Sequence, residues 1–357
     1  VIQQTDISLH SPQTLIISPT RELCMQITDD LKDYSKYIPG LKILAVYGGS
    51  SIEAQIKALQ QGVHIIVATP GRLIDLIDRK VVKASKVKRI ILDEADEMLN
   101  MGFSESVDRI LEHLPKNIQS LLFSATMPPE IARISEKYMN NPVKITIGNK
   151  NTGVENIRHF CYTVQAKDKY LALKRIVDYY PEIYGIVFCR TRRDTQEIAD
   201  KLMADGYNAE SLHGDLSQAQ RDTVMQKFRI KNIRILVATD VAARGIDVNN
   251  LSHVINYSLP DDKDAYTHRS GRTGRVGKAG ISVVIINLRE KSQVRMIEKA
   301  TGISFIQAKV PNGKEVCEKQ LYHLIDRIEK VDIEHEEIEP YLPSVYRKLE
   351  WLDKEDL

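Results

Sequence analysis

Short apolar runs rich in Ile, Leu and Val alternate with segments of helical periodicity along most of the chain. Continuous apolar strands separated by helices are typical of parallel sheets that helices cover on both faces. The pattern therefore predicts an α/β protein. The predicted strands are Thr14–Ser18, Ile43–Tyr47, His64–Ala68, Arg89–Asp93, Ser120–Ser124, Gly185–Cys189, Ala209–Leu212, Arg234–Ala238, His253–Tyr257 and Ile281–Asn287.

Capping residues mark the starts of several helices between these strands. Thr20 can cap a helix whose apolar residues recur at i, i+4 spacing. Ser51 can cap a helix over Ile52–Gln61, and the proline pair at Pro128 and Pro129 opens another. Each predicted helix follows a predicted strand, as expected for a sheet wound with helices.

Residues 147–153 interrupt this alternation, because they are polar, include two glycines and have no apolar periodicity. The same strand–helix alternation lies on both sides. We predict a first domain over residues 1–148, a linker over 149–156 and a second domain over 157–302.

Beyond Gly302 the pattern changes. We predict a helical extension over residues 303–357 that belongs to neither sheet, with Val316–Ile333 as one amphipathic helix. Residues 326–357 carry 11 acidic and 5 basic side chains.

The charge balance limits how this chain could bind nucleic acid. Its 357 residues include 50 basic and 48 acidic side chains, a net charge of +2. A protein that coats nucleic acid with bulk charge would be more basic. Any contact with nucleic acid must therefore come from individually placed residues.

The cysteines favour a reducing compartment. Cys24, Cys161, Cys189 and Cys317 form no C-x-x-C pair, so neither a zinc site nor a redox motif is supported. Scattered thiols fit a reducing cytoplasm. With no secretory signal pattern and no apolar run of about 18 residues, the sequence predicts a cytoplasmic protein.

The most informative motif is Asp93-Glu94-Ala95-Asp96, directly after the apolar run that ends at Leu92. A buried strand that ends in two acids places both carboxylates at the mouth of a parallel sheet. The first can hold hydrated Mg²⁺, and the second can polarise a water against a phosphoryl group. Acid pairs at strand ends are common, so this motif alone is weak evidence.

Three further motifs follow in a fixed order. They are Ser124-Ala125-Thr126, the stretch from Ala238 to Asp247, and the stretch from His268 to Arg275. Together the four motifs resemble those of the DEAD-box ATP-dependent RNA helicases, and the chain is most similar to bacterial cold-shock members. The resemblance implies two tandem RecA-like domains with parallel sheets, use of ATP with Mg²⁺, and binding and unwinding of RNA.

Several predicted strands lead into helix starts with free backbone N–H groups, a small residue and often an arginine. Such turns bind phosphate, and several together can follow a sugar–phosphate backbone without reading bases. Ordinary strand–helix turn chemistry is the alternative for any one of them. The resemblance implies RNA contacts by Arg21, Gly49, Thr69, Gly71, Arg72, Arg190, His213, Arg221, Thr239 and Arg244. For Gln218 and Arg221, one solvated helical turn capped by Ser217 is a competing interpretation.

The stretch from His268 to Arg275 places three arginines at three-residue spacing with small residues between them. A guanidinium offers a rigid donor fork for developing phosphate charge, and an arginine finger can accelerate phosphoryl transfer by about 10³–10⁵. Arg272 and Arg275 are the finger candidates. A basic turn that binds phosphate without catalysis is the alternative.

The resemblance assigns further roles around the nucleotide. It implies that His268 bridges to the acidic motif, that Gly245 lies close to the nucleotide and that Asp247 contacts the ribose. Asp93 would hold Mg²⁺ through water, and Glu94 would orient and deprotonate the attacking water.

Ser124 and Thr126 could bond Asp96 through their hydroxyls, and the resemblance implies that this motif couples ATP use to strand separation. Because the acids and the fingers are on different domains, hydrolysis should require closure about the linker.

The sequence departs from the family at its first motifs. It contains no G-x-x-x-x-G-K-[ST] phosphate loop, and the adenine-reading motif of the family is also missing. The stretch from Gly274 to Lys278 is superficially close, but Ala279 follows where Ser or Thr should be. We therefore expect a fragment of a longer helicase, which by itself hydrolyses ATP negligibly.

Two alternatives remain beside the helicase. One is a non-enzymatic RNA clamp or scaffold, and the other is a DNA helicase of the same superfamily. A phosphate loop encoded upstream of Val1 would favour the enzyme. The extension from Val316 resembles the segment that can pair protomers in cold-shock helicases, which implies a possible homodimer.

Overall fold

The computed structural model describes residues 1–146, 156–243, 248, 251–260, 263–274, 278–330 and 340–351, with only the backbone of 263 and 264. The chain divides into two compact units. One unit comprises Val1–Tyr170 and Ile183–Lys309, and the other comprises Leu171–Glu182 and Val310–Leu357. The predicted linker over 149–156 lies almost wholly outside the described residues, and the predicted domain boundaries stay predictions.

The larger unit contains two all-parallel sheets. The first has the order β2-β3-β1-β4-β5. Its strands are β1 (Thr14–Ile17), β2 (Ile43–Val46), β3 (Ile65–Ala68), β4 (Arg89–Leu92) and β5 (Gln119–Leu122). β1 and β3 are buried at every position, because helices cover both faces.

Among the described residues, six α-helices accompany the first sheet, and with it they form the first lobe. They are α1 (Arg21–Tyr34), α2 (Ile52–Gln60), α3 (Pro70–Asp78), α4 (Ala95–Asn100), α5 (Ser104–Glu112) and α6 (Pro129–Tyr138). The predicted caps are present: Thr20 accepts a hydrogen bond from Leu23 N at 3.2 Å, and Ser51 accepts one from Ala54 N at 3.2 Å. The core on one face packs residues such as Ile66, Leu73 and Ile110.

The second sheet has the order β12-β6-β11-β10-β7-β9-β8 and forms the second lobe with its helices. Its strands are β6 (Ile157–Thr163), β7 (Gly185–Phe188), β8 (Ala209–Leu212), β9 (Ile235–Ala238), β10 (His253–Asn256), β11 (Gly280–Ile286) and β12 (Ile306–Ala308). Its helices are the start of α7 (Lys169–Tyr179), α8 (Arg192–Ala204), α9 (Gln218–Arg229), α10 (Asp240–Ala243), α11 (Lys263–Ser270) and α12 (Lys291–Thr301).

The predicted fold class is confirmed. All the predicted strands are present, with ends that differ by no more than two residues. The sequence pattern missed β6 and β12. β6 contains exposed Arg158 within its buried positions, and β12 is a short and largely exposed strand, so neither gives a continuous apolar run. Because β12 pairs with β6, the prediction that everything beyond Gly302 leaves the sheets is wrong for Ile306–Ala308.

Strand register places the candidate site. In the first sheet, Ile17 is aligned with Ala68 on one side and with Leu92 on the other, and Leu92 is aligned with Leu122. These are the last residues of their strands, so the residues that follow them emerge at one edge of the sheet. In the second lobe, Phe188 is aligned with Ala238 in the same way.

The smaller unit includes α13 (Gly313–Glu329) and α14 (Leu342–Leu349). α13 begins three residues before the predicted start at Val316, because Asn312 and Glu315 form a capping box there. It ends at Glu329, four residues before the predicted end. Within the unit, the Gln320 amide donates to the carbonyl oxygen of Asp178 at 2.5 Å. None of the helices that the structure describes is both long and apolar enough to cross a membrane.

Phe228 on α9 provides a test of the second core. Its side chain is 0% exposed, and its ring centroid lies 4.7 Å from that of Tyr184. Phe228→Ala should lower the free energy of unfolding by about 3–5 kcal/mol, because it removes a large buried ring and leaves a cavity. Phe123→Ala is the matched control, because Phe123 is 54% exposed, and it should cost about 0.5 kcal/mol or less. Urea unfolding followed by circular dichroism measures both; equal losses would contradict the assigned core.

Candidate functional site

The acidic motif lies where β4 gives way to α4. Asp93 follows the last residue of the strand, and its N–H donates to Ile17 O at 2.9 Å. Glu94 adopts a left-handed conformation with φ +48° and ψ 52°. This conformation is strained for a residue other than glycine, and such strain is concentrated at functional sites. It turns the chain sharply, so that α4 begins with the next residue, Ala95.

Burial raises the pKa of both carboxyl groups at this turn. For Asp93, a hydrogen bond from Glu94 N partly opposes the effect of burial, and the charge of Asp96 reinforces it. For Glu94, the guanidinium of Arg272 in the second lobe opposes the rise in pKa. Glu94 Oε2 is buried and accepts no hydrogen bond from the residues that the structure describes. A carboxylate with a raised pKa and an unused oxygen suits a general base.

Asp93 fits the outer coordination of a magnesium ion. Its carboxyl group is half-buried beside Glu94, and Mg²⁺ prefers carboxylate, phosphate and water oxygens. Nowhere in the described part of the chain do three or more His, Cys, Asp or Glu side chains gather as a metal site. A magnesium ion at Asp93 would therefore need most of its ligands from water and from phosphate oxygens.

The hydroxyl motif after β5 bonds the last acid of the motif. The Thr126 hydroxyl and backbone N–H both donate to Asp96 Oδ2, at 2.7 and 2.8 Å. Asp96 N donates to Ser124 Oγ at 3.3 Å, and Ser124 Oγ donates to Thr126 O at 2.5 Å. The segment from Ser124 to Thr126 therefore fixes Asp96 in one orientation, as the sequence predicted for its hydroxyl groups.

His268 on α11 reaches across to this motif from the second lobe. Its Nδ1 contacts Glu97 Oε1, and its Nε2 lies 3.7 Å from Asp96 Oδ2. Burial disfavours the charged imidazole, but the hydrogen bond that His268 donates to Glu97 and the charges of Glu97 and Asp96 together raise the pKa of His268 above its ordinary value. The two lobes thus meet at the acidic motif.

Glu97 was missed by sequence reasoning. It lies in the first turn of α4 and is buried. An acidic residue at a helix start ordinarily complements the helix dipole, so its position alone gave no functional signal. Its one distinguishing signal is that it follows Asp96 directly.

Among the residues predicted to act on the nucleotide, those that the structure describes lie close together. Glu97, His268 and Arg272 line a cavity of about 20 Å³, which has room for one water molecule. Four predicted residues cannot be placed, because Arg244, Gly245, Asp247 and Arg275 lie outside the described residues.

A second, larger cavity of about 560 Å³ is lined by residues of both lobes. Half of the predicted RNA contacts contribute to its walls: Arg21, Thr69, Gly71, Arg72 and Arg221. A space of this size with arginines from two lobes can accept a chain of phosphates.

The arginines of this cavity make bonds between the lobes. Arg21 Nη1 donates to Gln218 Oε1 at 2.6 Å, and Arg221 Nη2 donates to Glu22 Oε1 at 2.8 Å. Ser217 also caps α9 with a full capping box, so the competing interpretation of a capped turn is correct as local structure. The side chains of that turn nevertheless contact the first lobe.

Gly49 supports this arrangement without lining the cavity. It has a φ of +85°, and a Cβ at this position would collide with the guanidinium of Arg21. Glycine adopts this φ without strain and leaves free the space that the guanidinium occupies. Its role in the structure is therefore to give Arg21 room.

Besides Gly49, three predicted RNA contacts are not among the described residues that line this cavity. His213 is buried, and its Nε2 contacts Gln196 Oε1 at 3.0 Å inside the second lobe. Arg190 donates to Leu259 O at 3.3 Å. Thr239 Oγ1 accepts from Ala242 N at 3.4 Å and so caps α10. RNA contact by these three residues stays a prediction.

Three family models match successive parts of the chain. Residues 1–134 match the DEAD/DEAH box helicase model, and residues 168–277 match the helicase conserved C-terminal domain. Residues 316–357 match a model described as "Probable ATP-dependent RNA helicase, helical domain".

Solved structures of helicases share the fold. Saccharomyces cerevisiae Dbp5 bound to RNA and ADP BeF3 superimposes with a TM-score of 0.80 at 28% identity, over 89% of this chain and 82% of that one. Mss116p bound to ssRNA and AMP-PNP gives a TM-score of 0.76 at 29% identity, over 96% and 72%.

Curated relatives are similar over nearly the whole chain. The DEAD-box ATP-dependent RNA helicase CshA of Geobacillus kaustophilus is 41% identical over 350 residues, which are 98% of this chain and 74% of that protein. CshA of Bacillus cereus is 42% identical over 96% of this chain, but the match spans only 65% of that relative's length. The chain therefore belongs to the DEAD-box RNA helicase family.

Proposed function

We propose that this protein binds RNA by its sugar–phosphate backbone and remodels RNA duplexes with the energy of ATP hydrolysis. The observation that carries the proposal is the contact of His268 with Asp96 and Glu97 from the opposite lobe. The charge of Arg272, on the same lobe as His268, also opposes the rise that burial causes in the pKa of Glu94. The same two lobes line the cavity that contains half of the predicted RNA contacts. Solved relatives bound to both RNA and a nucleotide analogue add support.

The reaction steps follow from the residues at the acidic edge. Asp93 would hold Mg²⁺ through water, and the ion would supply positive charge against the phosphates. Glu94 would accept the proton of the attacking water through its buried, unused oxygen. Arg272, together with Arg275, would stabilise charge that develops on the γ-phosphate. His268 holds the second lobe against Asp96, so that these groups act together.

The first sheet has an edge at which a strand carrying a phosphate-binding loop could pair. β5 lies at one end of the strand order and pairs only with β4 among the described strands. Phe123 directly follows β5 and is exposed. Val143 and Ile145, two residues apart later in the chain, are exposed as well. A further strand with a G-x-x-x-x-G-K-[ST] loop could pair with this edge and cover these side chains. Its loop would then emerge beside Ser124 and Asp93.

The alternative is an RNA clamp that does not hydrolyse ATP. It is favoured by one observation, the absence of a G-x-x-x-x-G-K-[ST] motif from the sequence. A clamp predicts RNA affinity that is indifferent to nucleotide, whereas the enzyme requires RNA and nucleotide to affect each other. The sequence encoded upstream of Val1 discriminates directly between them, since the enzyme needs a phosphate loop there.

The partner proposal includes a second copy of the chain. α13 exposes Leu321, Leu324, Ile325 and Ile328, which are between 48% and 65% exposed. Their i, i+3, i+4, i+7 spacing forms one apolar stripe. Two copies of such a stripe can pack against each other about a two-fold axis, since the same patch then faces itself.

Glu94→Gln tests the role of the general base. In the longest form encoded by the reading frame, ATP binding should persist, because the amide has the same shape. Turnover should fall by about 10²–10⁴, since the amide cannot accept the proton. Because the pKa of Glu94 is raised, wild-type turnover should be full above that pKa and lost as pH falls through it, at a higher pH than for an ordinary glutamate.

The control for this experiment is Glu112→Gln, an exposed glutamate on α5. It should leave turnover unchanged at every pH. Steady-state ATPase assays, with nucleotide binding measured in parallel, test the role of Glu94. An unaltered kcat in Glu94→Gln would contradict its assignment as the general base.

Arg72→Ala tests the RNA cavity and needs only residues 1–357. Arg72 lines the cavity from α3, where Gln55 and Ser50 orient its guanidinium. Affinity for single-stranded RNA should weaken alike for all sequences, and the slope of log K against log salt should shrink by about 0.7–1. Arg79→Ala is the control at the end of the same helix, since Arg79 directly follows α3, is exposed and is bonded to Asp75. Similar losses in both variants, measured by fluorescence anisotropy, would argue against this cavity.

Leu324→Asp tests self-association. The change places a charge in the centre of the stripe, so a dimer of the wild type should dissociate to monomers at the same concentration. Leu288→Asp is the matched control, because Leu288 is equally apolar and is exposed outside α13. Light scattering on a sizing column gives the masses. A monomeric wild type, or dimers in all three samples, would rule out the proposed stripe.

A further inference from the structure

Arg269 borders the small cavity that Glu97, His268 and Arg272 line, and none of the roles above uses it. It is 3% exposed and belongs to α11, next to His268. Its guanidinium makes a forked contact with Asp240, from Nε to Oδ1 at 2.5 Å and from Nη2 to Oδ2 at 2.7 Å. Nη1 donates to Asn256 Oδ1 at 2.9 Å and to Ser258 O at 2.7 Å.

The contacts of Arg269 join α10, which follows a predicted RNA contact, to α11, which carries residues predicted to act on the nucleotide. Asp240 is the first residue of α10, directly after Thr239, one of the predicted RNA contacts. At the other end of the fork, α11 carries His268, which contacts Asp96 and Glu97 of the first lobe, and leads to Arg272. A movement of α10 would therefore act directly on the helix that presents groups to the nucleotide.

The geometry of the fork makes this link stiff. Two parallel hydrogen bonds between a guanidinium and a carboxylate fix both distance and orientation. The face of Phe188, at the end of β7, lies 4.9 Å from the guanidinium carbon and limits its rotation. Such a pair adds little net stability, because the arginine loses its hydration on burial while the Asp240 side chain stays 34% exposed. Its effect is to allow one relative placement of α10 and α11.

α11 also makes side-chain hydrogen bonds to the sheet. Tyr266 donates or accepts a hydrogen bond with Ser282 of β11 at 3.0 Å, and its hydroxyl lies 2.7 Å from His159 Nδ1 of β6. Ser270 contacts the same Ser282 hydroxyl at 3.1 Å. The sheet therefore fixes one side of α11, and Arg269 is its forked polar connection to α10.

We infer that the Arg269–Asp240 pair is a positioning link that transmits RNA occupancy at α10 to His268 and Arg272 on α11. The inference rests on the proposed function, because it requires RNA on one side and a nucleotide on the other. Arg269 and Asp240 also border the small cavity beside Glu97, His268 and Arg272, but the inferred role of the pair is to set the placement of those residues.

Asp240→Asn in the longest encoded form provides the test. The asparagine keeps the shape but removes the charge and one acceptor of the fork. The measured quantity is the coupling factor, the ratio of RNA dissociation constants without and with a non-hydrolysable ATP analogue. In the variant this factor should fall about tenfold, within the roughly 5–150-fold range of allosteric couplings. The same factor must appear when the analogue is titrated with and without RNA, because binding linkage is reciprocal.

Three further variants and a control separate positioning from a general structural role. Arg269→Lys should lower the coupling factor similarly, since an ammonium cannot form the fork. The double variant should lose no more than either single one, because both remove the same link. Asp240→Glu keeps the charge and should recover part of the coupling. Asp78→Asn is the control: it breaks the forked Arg109–Asp78 pair of the first lobe and should leave the factor unchanged.

The outcomes distinguish this inference from the proposed function. If the wild type and the Asp240→Asn variant have the same coupling factor, and that factor differs from one, the link alone is overturned. A variant that binds RNA more weakly by the same factor with and without analogue makes Asp240 an RNA contact, and likewise overturns the link. A wild type without coupling between RNA and nucleotide overturns both proposals.

Discussion

Aligned strand ends are the constraint on which both candidate sites depend. In a parallel sheet all strands point the same way, so the residues that follow them are gathered at one edge. The register of Ile17 with Ala68 and Leu92 brings the turns after β1, β3 and β4 together. Distant segments of the sequence can supply one site without any long connecting loop.

The interlobe hydrogen bonds and ion pairs of the described residues are polar contacts, which suit a movable interface. His268 meets Asp96 and Glu97 on the nucleotide side, while Arg21 meets Gln218 on the cavity side. Polar contacts of this kind specify an arrangement more than they stabilise it, because desolvation offsets much of their attraction. Interfaces between domains that move are ordinarily more polar than obligate ones. The lobes can thus be matched to each other and still separate.

The sequence predicted what depends on local pattern and missed what depends on distant partners. The buried strands and the Thr20 and Ser51 caps follow from nearby residues, and they are present. Glu97 was missed because its partner His268 is 171 positions away. His213 was predicted to contact RNA, but a motif gives the residue type and not the direction of its ring, which here contacts Gln196.

The interlobe bonds of the arginines also bear on how a nearly neutral chain could hold RNA. A guanidinium has five N–H donors, and the bond from Arg21 to Gln218 uses one of them. The same holds for Arg221, whose bond to Glu22 runs from one terminal nitrogen. Each arginine can therefore keep its contact with the opposite lobe while it donates to a phosphate. Contact between the lobes would then place the arginines before RNA arrives, so that little side-chain freedom is lost on binding. A few positioned cations could replace the broad positive surface that this sequence does not have.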